Sequence, residues 1–266
     1  MTTLHTLASG SSGNALVFSC GDTHLLVDAG ISCRRICGGL GELGLTPGDL
    51  TAILITHTHA DHVSGLQTLL KRTDCPVLAG ERVCRELRER LAGLWGRAVP
   101  LHLLTSLTAG GCAVTAFPTS HDAPGSCGFR LDSACGSAGI LTDTGYVTEE
   151  AAETLVGVDL AVLEANHDIE TLRSGPYPYY LKQRILSIQG HLSNVDAASF
   201  AVSLAEGGTS EIVLAHLSRE NNTPAMALRT VETALSAAGL APVLSVAPRE
   251  APGPVHQIRR RSVCRK

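Results

Sequence analysis

Short apolar runs bounded by turn residues recur along the chain and alternate with segments of helical periodicity. The opening thirty residues read as three strands at 4–7, 15–19 and 25–28, parted by the Gly-rich ASGSSGN (8–14) and by Cys20-Gly21-Asp22. A helix follows over 34–43, closed by Gly44 with Pro47 beyond it. Residues 51–56, TAILIT, are continuously apolar and rich in β-branched side chains, as a strand buried on both faces requires. That run breaks directly into His57-Thr58-His59-Ala60-Asp61-His62, and Asp61 stands where it can cap a helix reaching about Lys71. Further strands are expected at 76–79, 98–104, 113–117, 128–131, 139–142, 158–164, 211–214 and 243–246. Helices are expected at 81–91, 148–155, 195–206 and 224–238. Paired strands with helices between them predict a layered α/β fold. No internal repeat or linker divides the chain, so 1–248 reads as one domain and the Pro- and Arg-rich 249–266 as a basic, flexible tail.

Polar residues stand immediately behind the apolar runs. Asp28 follows LLV, His57 follows LIT, His121 follows AFPTS, Asp143 follows ILT and His216 follows VLA. Loops at strand ends converge on one rim of a sheet sandwich, where sites tend to form. The recurrence turns scattered histidines into one candidate site.

Composition narrows the setting. With 266 residues, 44% of them hydrophobic, the chain suits one large domain with a substantial core, which excludes disorder. Aromatics make up only 3%, which favours α/β layers over an aromatic-rich sandwich. A net charge of −4 carries no global basic signature, so a nucleic-acid partner must be held by a local patch. The nine cysteines contain no CxxC pair; Cys33 and Cys37 are closest, at a spacing that suits one helical face. The first fourteen residues lack a charged region and a long apolar run, and no segment reaches the roughly 18 apolar residues of a membrane span. Together these features predict a reduced, cytoplasmic chain with no membrane attachment. Oligomeric state leaves no mark.

The hexapeptide 57–62 places four ligand-type side chains in six residues. His57 and His59 alternate by two, so an extended segment points both rings one way. Asp61 and His62 turn into the next helix and can face a second ion. Imidazole with carboxylate suits zinc, manganese or iron(II), not calcium. Two ions about 3.5–4 Å apart need roughly six protein ligands and one bridge, and His121, Asp143 and His216 supply three more candidates. His5, His24, His102 and His256 stand alone and are read as ordinary surface or core residues.

HTHADH resembles the HxHxDH signature of the metallo-β-lactamase fold superfamily, and the resemblance covers nearly the whole chain. It implies an αββα four-layer metallo-β-lactamase sandwich of two mixed β-sheets flanked by helices. LLVDAG (25–30) resembles the family's early Asp motif, SHDAPGSCGFR (120–130) the third-motif histidine of the tRNA 3′-processing endonucleases, ILTDTG (140–145) the bridging-Asp motif, and LAHLSRENN (214–222) the last histidine motif. LASGSSGN (7–14), LEANHDIETLRSGPYP (163–178) and RILSIQGHLSN (184–194) are similar to the YycJ/WalJ-type bacterial hydrolases. That group implies a binuclear metal-dependent phosphodiesterase or nuclease, a 5′–3′ exonuclease on DNA working through a metal-bridging hydroxide. Carried over by motif, His57, His59 and His121 hold one Zn²⁺ or Mn²⁺ ion and Asp61, His62 and His216 the other, while Asp143 bridges. Asp61 orients the water or accepts its proton, and Asp28 steadies the histidine loop.

Three features remain open. GHLSN (190–194) stands at a helix start and serves either as a cap or, by similarity to the His-Ser-Thr segment of the tRNA endonucleases, as a source of His191 for the scissile phosphate. Glu164, Asn166 and His167 follow a strand and either tune His191, line the pocket or serve structure alone. Ser9, Ser12 and Asn14 belong either to a tight turn or to a loop whose backbone N–H groups approach a phosphate. Arg82, Arg85 and Arg88 read as a solvated helix face interleaved with glutamates. The competing readings are a small-molecule ester or thioester hydrolase of this fold, glyoxalase II-like or a lactonase, and an idle docking module. GHLSN speaks against the first, and the full set of ligand positions against the second.

Overall fold

The computed structural model describes residues 1–260. The first half runs β1 (Thr2–Ala8), β2 (Ala15–Cys20), β3 (Thr23–Val27), α1 (Cys33–Glu42), β4 (Ala52–Ile55), α2 (Ala60–Val63), α3 (Leu66–Leu69), β5 (Val77–Gly80), α4 (Glu81–Arg90) and β6 (Ala98–Leu101). Then come β7 (Ser106–Ala109), β8 (Cys112–Pro118), β9 (Cys127–Ser133), β10 (Gly136–Leu141), α5 (Glu149–Leu155), β11 (Leu160–Glu164), α6 (Ile169–Ser174) and α7 (Tyr179–Ile185). The chain ends with α8 (Asn194–Glu206), β12 (Glu211–Ala215), α9 (Pro224–Ala237), β13 (Val243–Val246) and β14 (Val255–Ile258).

The strands form two seven-stranded sheets, ordered β14-β1-β2-β3-β4-β5-β6 and β13-β12-β11-β10-β9-β8-β7. Each is antiparallel on one side and parallel on the other: β3 through β6 run parallel in the first, β10 through β13 in the second. Strand β8 is antiparallel to β9, and β9 to β10, so β8 shares the direction of β10. The loops behind β8, β10, β11 and β12 therefore leave by one edge, as do those behind β3 and β4 in the facing sheet. Polar residues placed behind these strands must meet at that edge.

The all-apolar β4 shows why the sheets are layered. Ala52 and Leu54 join the core between the sheets, with Phe18, Phe129 and Val162. Ile53 and Ile55 face outward under the helices, with Ile36, Leu40 and Leu87. A matching outer layer, including Phe200, Leu204 and Val231 under the second sheet, completes the αββα order. Each fully buried large aliphatic side chain stabilises this arrangement by about 1.5–3 kcal/mol of transfer free energy.

Several boundaries differ from the sequence reading. The helix expected from Asp61 to Lys71 is two short turns, α2 and α3, parted at Ser64–Gly65. Gly65 is pressed against the loop behind β3, where a Cβ would stand 2.0 Å from the Ile31 carbonyl oxygen. His59, not Asp61, is the N-cap residue, which leaves the Asp61 carboxylate for the site. Strand β6 stops at Leu101, and Leu104 lies at φ +62°. β7, α6 and α7 were not expected. The tail expected to be flexible contributes β14, which pairs antiparallel with β1 and buries Ile258, while His256 holds Glu211 at 2.6 Å. Apolar and hydrogen-bonding partners on β1 and β12 order that segment. Arg261, Arg265 and Lys266 lie outside the described residues. Cys33 and Cys37 share a face of α1 with sulfurs 3.8 Å apart.

Candidate metal centre and its pocket

Asp28 organises the hexapeptide from the facing strand end. Val27 and Leu54 are in register, so Asp28 sits beside the residues that follow β4. Its Oδ1 accepts from the Thr56 backbone N–H at 2.9 Å, and its Oδ2 accepts from His62 Nδ1 at 2.7 Å. The Thr56 hydroxyl donates to the same carboxylate at 3.0 Å, which leaves its oxygen to accept from His57 Nδ1 at 3.0 Å. Both imidazoles thus spend Nδ1 on the scaffold and turn Nε2 to the site.

The same device recurs. His121 Nδ1 donates to the Gly190 carbonyl at 3.1 Å, and His216 Nδ1 faces Glu164 Oε1 at 3.0 Å. Asp28 and His216, directly behind strands, and Asp143, two residues behind one, lie in the left-handed region at φ +60°, +55° and +58°. Such backbone is uncommon for residues with a Cβ and persists where the surroundings hold it. Here Ser9 Oγ accepts from the His216 N–H at 2.8 Å, and Asn166 Nδ2 donates to its carbonyl at 2.9 Å.

Potential donor atoms of His57, His59 and His121 lie within 4.8 Å of one another, as do those of Asp61, His62 and His216. Asp143 stands between the two groups, its Oδ2 3.3 Å from His62 Nε2 and its Oδ1 3.8 Å from His121 Nε2. Three polar atoms aimed into this space, His57 Nε2, His216 Nε2 and Asp143 Oδ2, are buried without a hydrogen-bond partner. Buried polar atoms are rarely left unmatched, and imidazole nitrogens facing carboxylate oxygens form the donor set of a divalent metal ion. The residues fit that group.

The electrostatics agree. Burial pushes the His57 pKa well below its usual value, and His62 beside it lowers it further. Burial also opposes charge on His62, yet Asp28 and Asp143 outweigh it and raise the pKa to about 10. His216 is raised well above the usual value against its burial by Asp143, Asp61 and Glu164. Asp143 is held well below the usual range despite burial, by His216 and His62. The buried carboxylates call for positive charge, and in the metal-free chain protons on His62 and His216 supply it.

Beside the donors opens a pocket of about 180 Å³ whose lining includes His121, Asp122, His191, Tyr177, Leu181 and Arg184. His191 Nδ1 is bonded to Glu164 Oε1 at 2.8 Å, and its ring centroid lies 5.1 Å from that of His121 and 5.3 Å from that of His216. Burial lowers its pKa, but Glu164 more than compensates and leaves it raised. Glu164 itself is buried, a condition against ionisation that His191 and His216 overcome, bringing its pKa to about 2.

The remaining expectations divide. Asn14 Oδ1 accepts from the Gly10 N–H at 2.8 Å, and its Nδ2 reaches the Asp61 carbonyl at 3.3 Å and His62 Nε2 at 3.0 Å, so it braces the hexapeptide. Ser12 is exposed, and its neighbour Ser11 lines the pocket instead. His167 is buried with both ring nitrogens unpartnered, and burial lowers its pKa to about 4. It makes no hydrogen bond to His191. Asp122 and Arg184 were missed. Asp122 Oδ1 lies 3.4 Å from His121 Nε2 and 3.6 Å from His59 Nε2, and its Oδ2 accepts from Arg184 Nε at 2.6 Å. Its position next to His121 in SHD was the available signal. His5, His24, His102 and His256 stand apart from the donor groups.

Comparison with known proteins follows the same lines. Residues 23–217 match the family described as the beta-lactamase superfamily domain. The chain is 39% identical over 237 residues to the exodeoxyribonuclease WalJ of Streptococcus pneumoniae, covering 88% of each chain. It is 35% identical over 234 residues to the exodeoxyribonuclease YycJ of Bacillus anthracis, covering 88% of this chain and 89% of that one. In structure it resembles the metallo-beta-lactamase fold protein YhfI of Bacillus subtilis, with a TM-score of 0.73 and 18% identity over 96% of this chain and 99% of the other.

Proposed function

The chain belongs to the beta-lactamase superfamily, and from that premise we propose that it is a binuclear metal-dependent phosphodiesterase, a 5′–3′ exonuclease acting on DNA. In this reading His57, His59 and His121 would hold one zinc or manganese ion, Asp61, His62 and His216 would hold the second, and Asp143 would serve both. Bound ions of this kind polarise phosphoryl oxygens and bring the pKa of a water near neutrality. Asp61, whose Oδ2 lies 3.6 Å from both His62 Nε2 and His216 Nε2, would orient such a water or accept its proton. No helix among the described residues is long and apolar enough to cross a membrane; the cytoplasm, which holds DNA and keeps thiols reduced, is the compartment the reading requires.

The observation that carries the phosphodiester reading is the His191–Glu164 pair at the mouth of the donor cluster. Glu164 accepts from Nδ1 and raises the ring's pKa, which favours the imidazolium, whose Nε2–H would then be a donor to the pocket. A cationic donor there stabilises charge on a phosphorane-like transition state or protonates the departing oxygen. An ester or thioester hydrolase with the same ions has no such need. His191→Ala should retain the metal and the fold while the rate on DNA falls by roughly 10²–10⁴. A p-nitrophenyl phosphodiester, whose leaving group needs no proton, should suffer a much smaller loss if His191 is the acid. Unchanged DNA cleavage would remove His191 from the mechanism, and lost metal would make it a ligand.

A further inference from the structure

The serine turn behind β1 is tied to the segments behind β12 and β13. Ser9 N–H donates to the Pro248 carbonyl at 3.1 Å, and Ser9 Oγ accepts from the His216 N–H at 2.8 Å. Gly13 N–H donates to the Gly10 carbonyl at 2.9 Å, which puts Ser11 and Ser12 at the corner of the turn, and Ser11 lines the pocket beside the donors. Neither the Ser11 nor the Ser12 N–H has an acceptor among the described residues. Ser218 lines the same pocket and is only 6% exposed. Its Oγ accepts from the Asn221 backbone N–H at 3.3 Å and from Asn221 Nδ2 at 3.2 Å, and no acceptor among the described residues takes its own proton. Buried hydroxyl groups are rarely left with a donor unmatched.

Arg249 joins the two serine segments. Its side chain lies across Gly10, where a Cβ would stand 2.9 Å from Arg249 Cγ, and its Nη2 donates to the Ser218 carbonyl at 3.0 Å. It has no carboxylate partner among the described residues, and its Nε is buried without a hydrogen-bond partner. The neighbouring Glu250 carboxylate stands 4.0 Å from Arg219 instead, and the Glu250 carbonyl accepts from Arg35 Nη2 at 2.8 Å. Three arginines thus gather around one carboxylate at this edge of the pocket, in a chain of net charge −4.

An unpaired guanidinium beside hydroxyl and backbone N–H donors is the donor set for phosphate oxygens. A carboxylic ester presents no second anion to such donors, whereas a DNA strand carries a phosphate at every nucleotide. We propose that Arg249, Ser11 and Ser218 form a subsite for a phosphate of the DNA strand next to the scissile one. The strand is then held at two phosphates, one at the metal centre and one here. The proposal rests on the phosphodiesterase reading and adds to it the group by which the strand is positioned.

The test compares the metal-loaded chain with Arg249→Met, which keeps the packing on Gly10 and removes the charge, and with Arg249→Lys, which keeps the charge. The substrates are DNA with a 5′-phosphate or a 5′-hydroxyl and bis(p-nitrophenyl) phosphate, which has no second phosphate. Arg249→Met should lower kcat/KM on DNA about tenfold or more, chiefly through KM, and far less on the small diester. Binding of phosphorothioate-linked DNA should lose about 1 from the magnitude of its salt slope, and Arg249→Lys should recover most of it. A loss confined to 5′-phosphorylated DNA identifies the terminal phosphate as the occupant, and an equal loss on both DNAs identifies an internal one. An unchanged KM and salt slope in Arg249→Met would overturn the subsite. So would an equal loss on DNA and on the small diester, which is what a merely structural Arg249 predicts. Wild-type hydrolysis of bis(p-nitrophenyl) phosphate keeps the two readings apart. If it is absent, the phosphodiesterase reading fails; if it is present and Arg249→Met matches the wild type on DNA, only the subsite fails.

Discussion

His62 couples metal binding to proton release. Without metal its imidazolium is held by Asp28 on one side and Asp143 on the other, with a pKa of about 10. A metal ion at Nε2 must displace that proton, so binding and proton release are linked. The direction follows from the raised pKa. At pH 7 the metal-free ring is charged, metal loading expels a proton, and affinity should climb as pH rises toward 10. Calorimetric titration at pH 7 in buffers of different ionisation enthalpy should show release of at least one proton per chain; heats independent of buffer would contradict the assignment. At this scale the sequence was informative where chemistry is concentrated. Four ligand types in 57–62 have few other uses, and Asp143 and His216 each follow an apolar run. Arg184 was not legible, because it meets Asp122 across 62 positions and alone resembles a surface charge, while Asp122 showed only its place beside His121. Glu164 was noticed for its place behind a strand, but its sharing between His191 and His216 is a property of the parallel register that sets Glu164 beside Ala215.

Elements place these residues by close approach of backbones as much as by strand order. Gly30, in the loop behind β3, lies so near the hexapeptide that a Cβ would come within 1.6 Å of the Asp61 carbonyl oxygen. Gly30 also donates its N–H to the Asn14 carbonyl, and Asn14 donates to Asp61 in turn. Gly30→Ala must therefore push Asp61 and His62 away from Asp28. Overpacking of this severity should cost about 3 kcal/mol or more, seen as a fall in Tm of roughly 6–12 °C together with weakened metal binding. A variant with wild-type Tm and metal affinity would show that the loop yields freely. The long apolar strands and the helices α4, α8 and α9 were readable because they repeat one period for several turns. Helices α6 and α7 were not, since Gly175, Pro176 and Pro178 cut the stretch into pieces too short to show a period. β14 was hidden for another reason. Its residues gain strand structure only by pairing with β1, at the other end of the described chain.

At the scale of the molecule, two sheets of matching order bring the ends of parallel strands from both halves to one rim. The sequence predicted the layers, through paired strands with helices between them, and the rim, through polar residues behind strands. It did not reveal the pocket wall, because the wall is built by α7 and the 187–190 turn, whose position depends on packing against the loop behind β10. The most direct measurement is the time course of label release from one single-stranded DNA, labelled at its 5′ end or its 3′ end, with the chain loaded with manganese or zinc or stripped by chelator. The account predicts that the 5′ label is released first, as nucleotide-sized product, that the 3′ label stays in long fragments until late, and that chelation stops both. Release that persists in chelator, or no release under any metal while a thioester or lactone is hydrolysed, would contradict it.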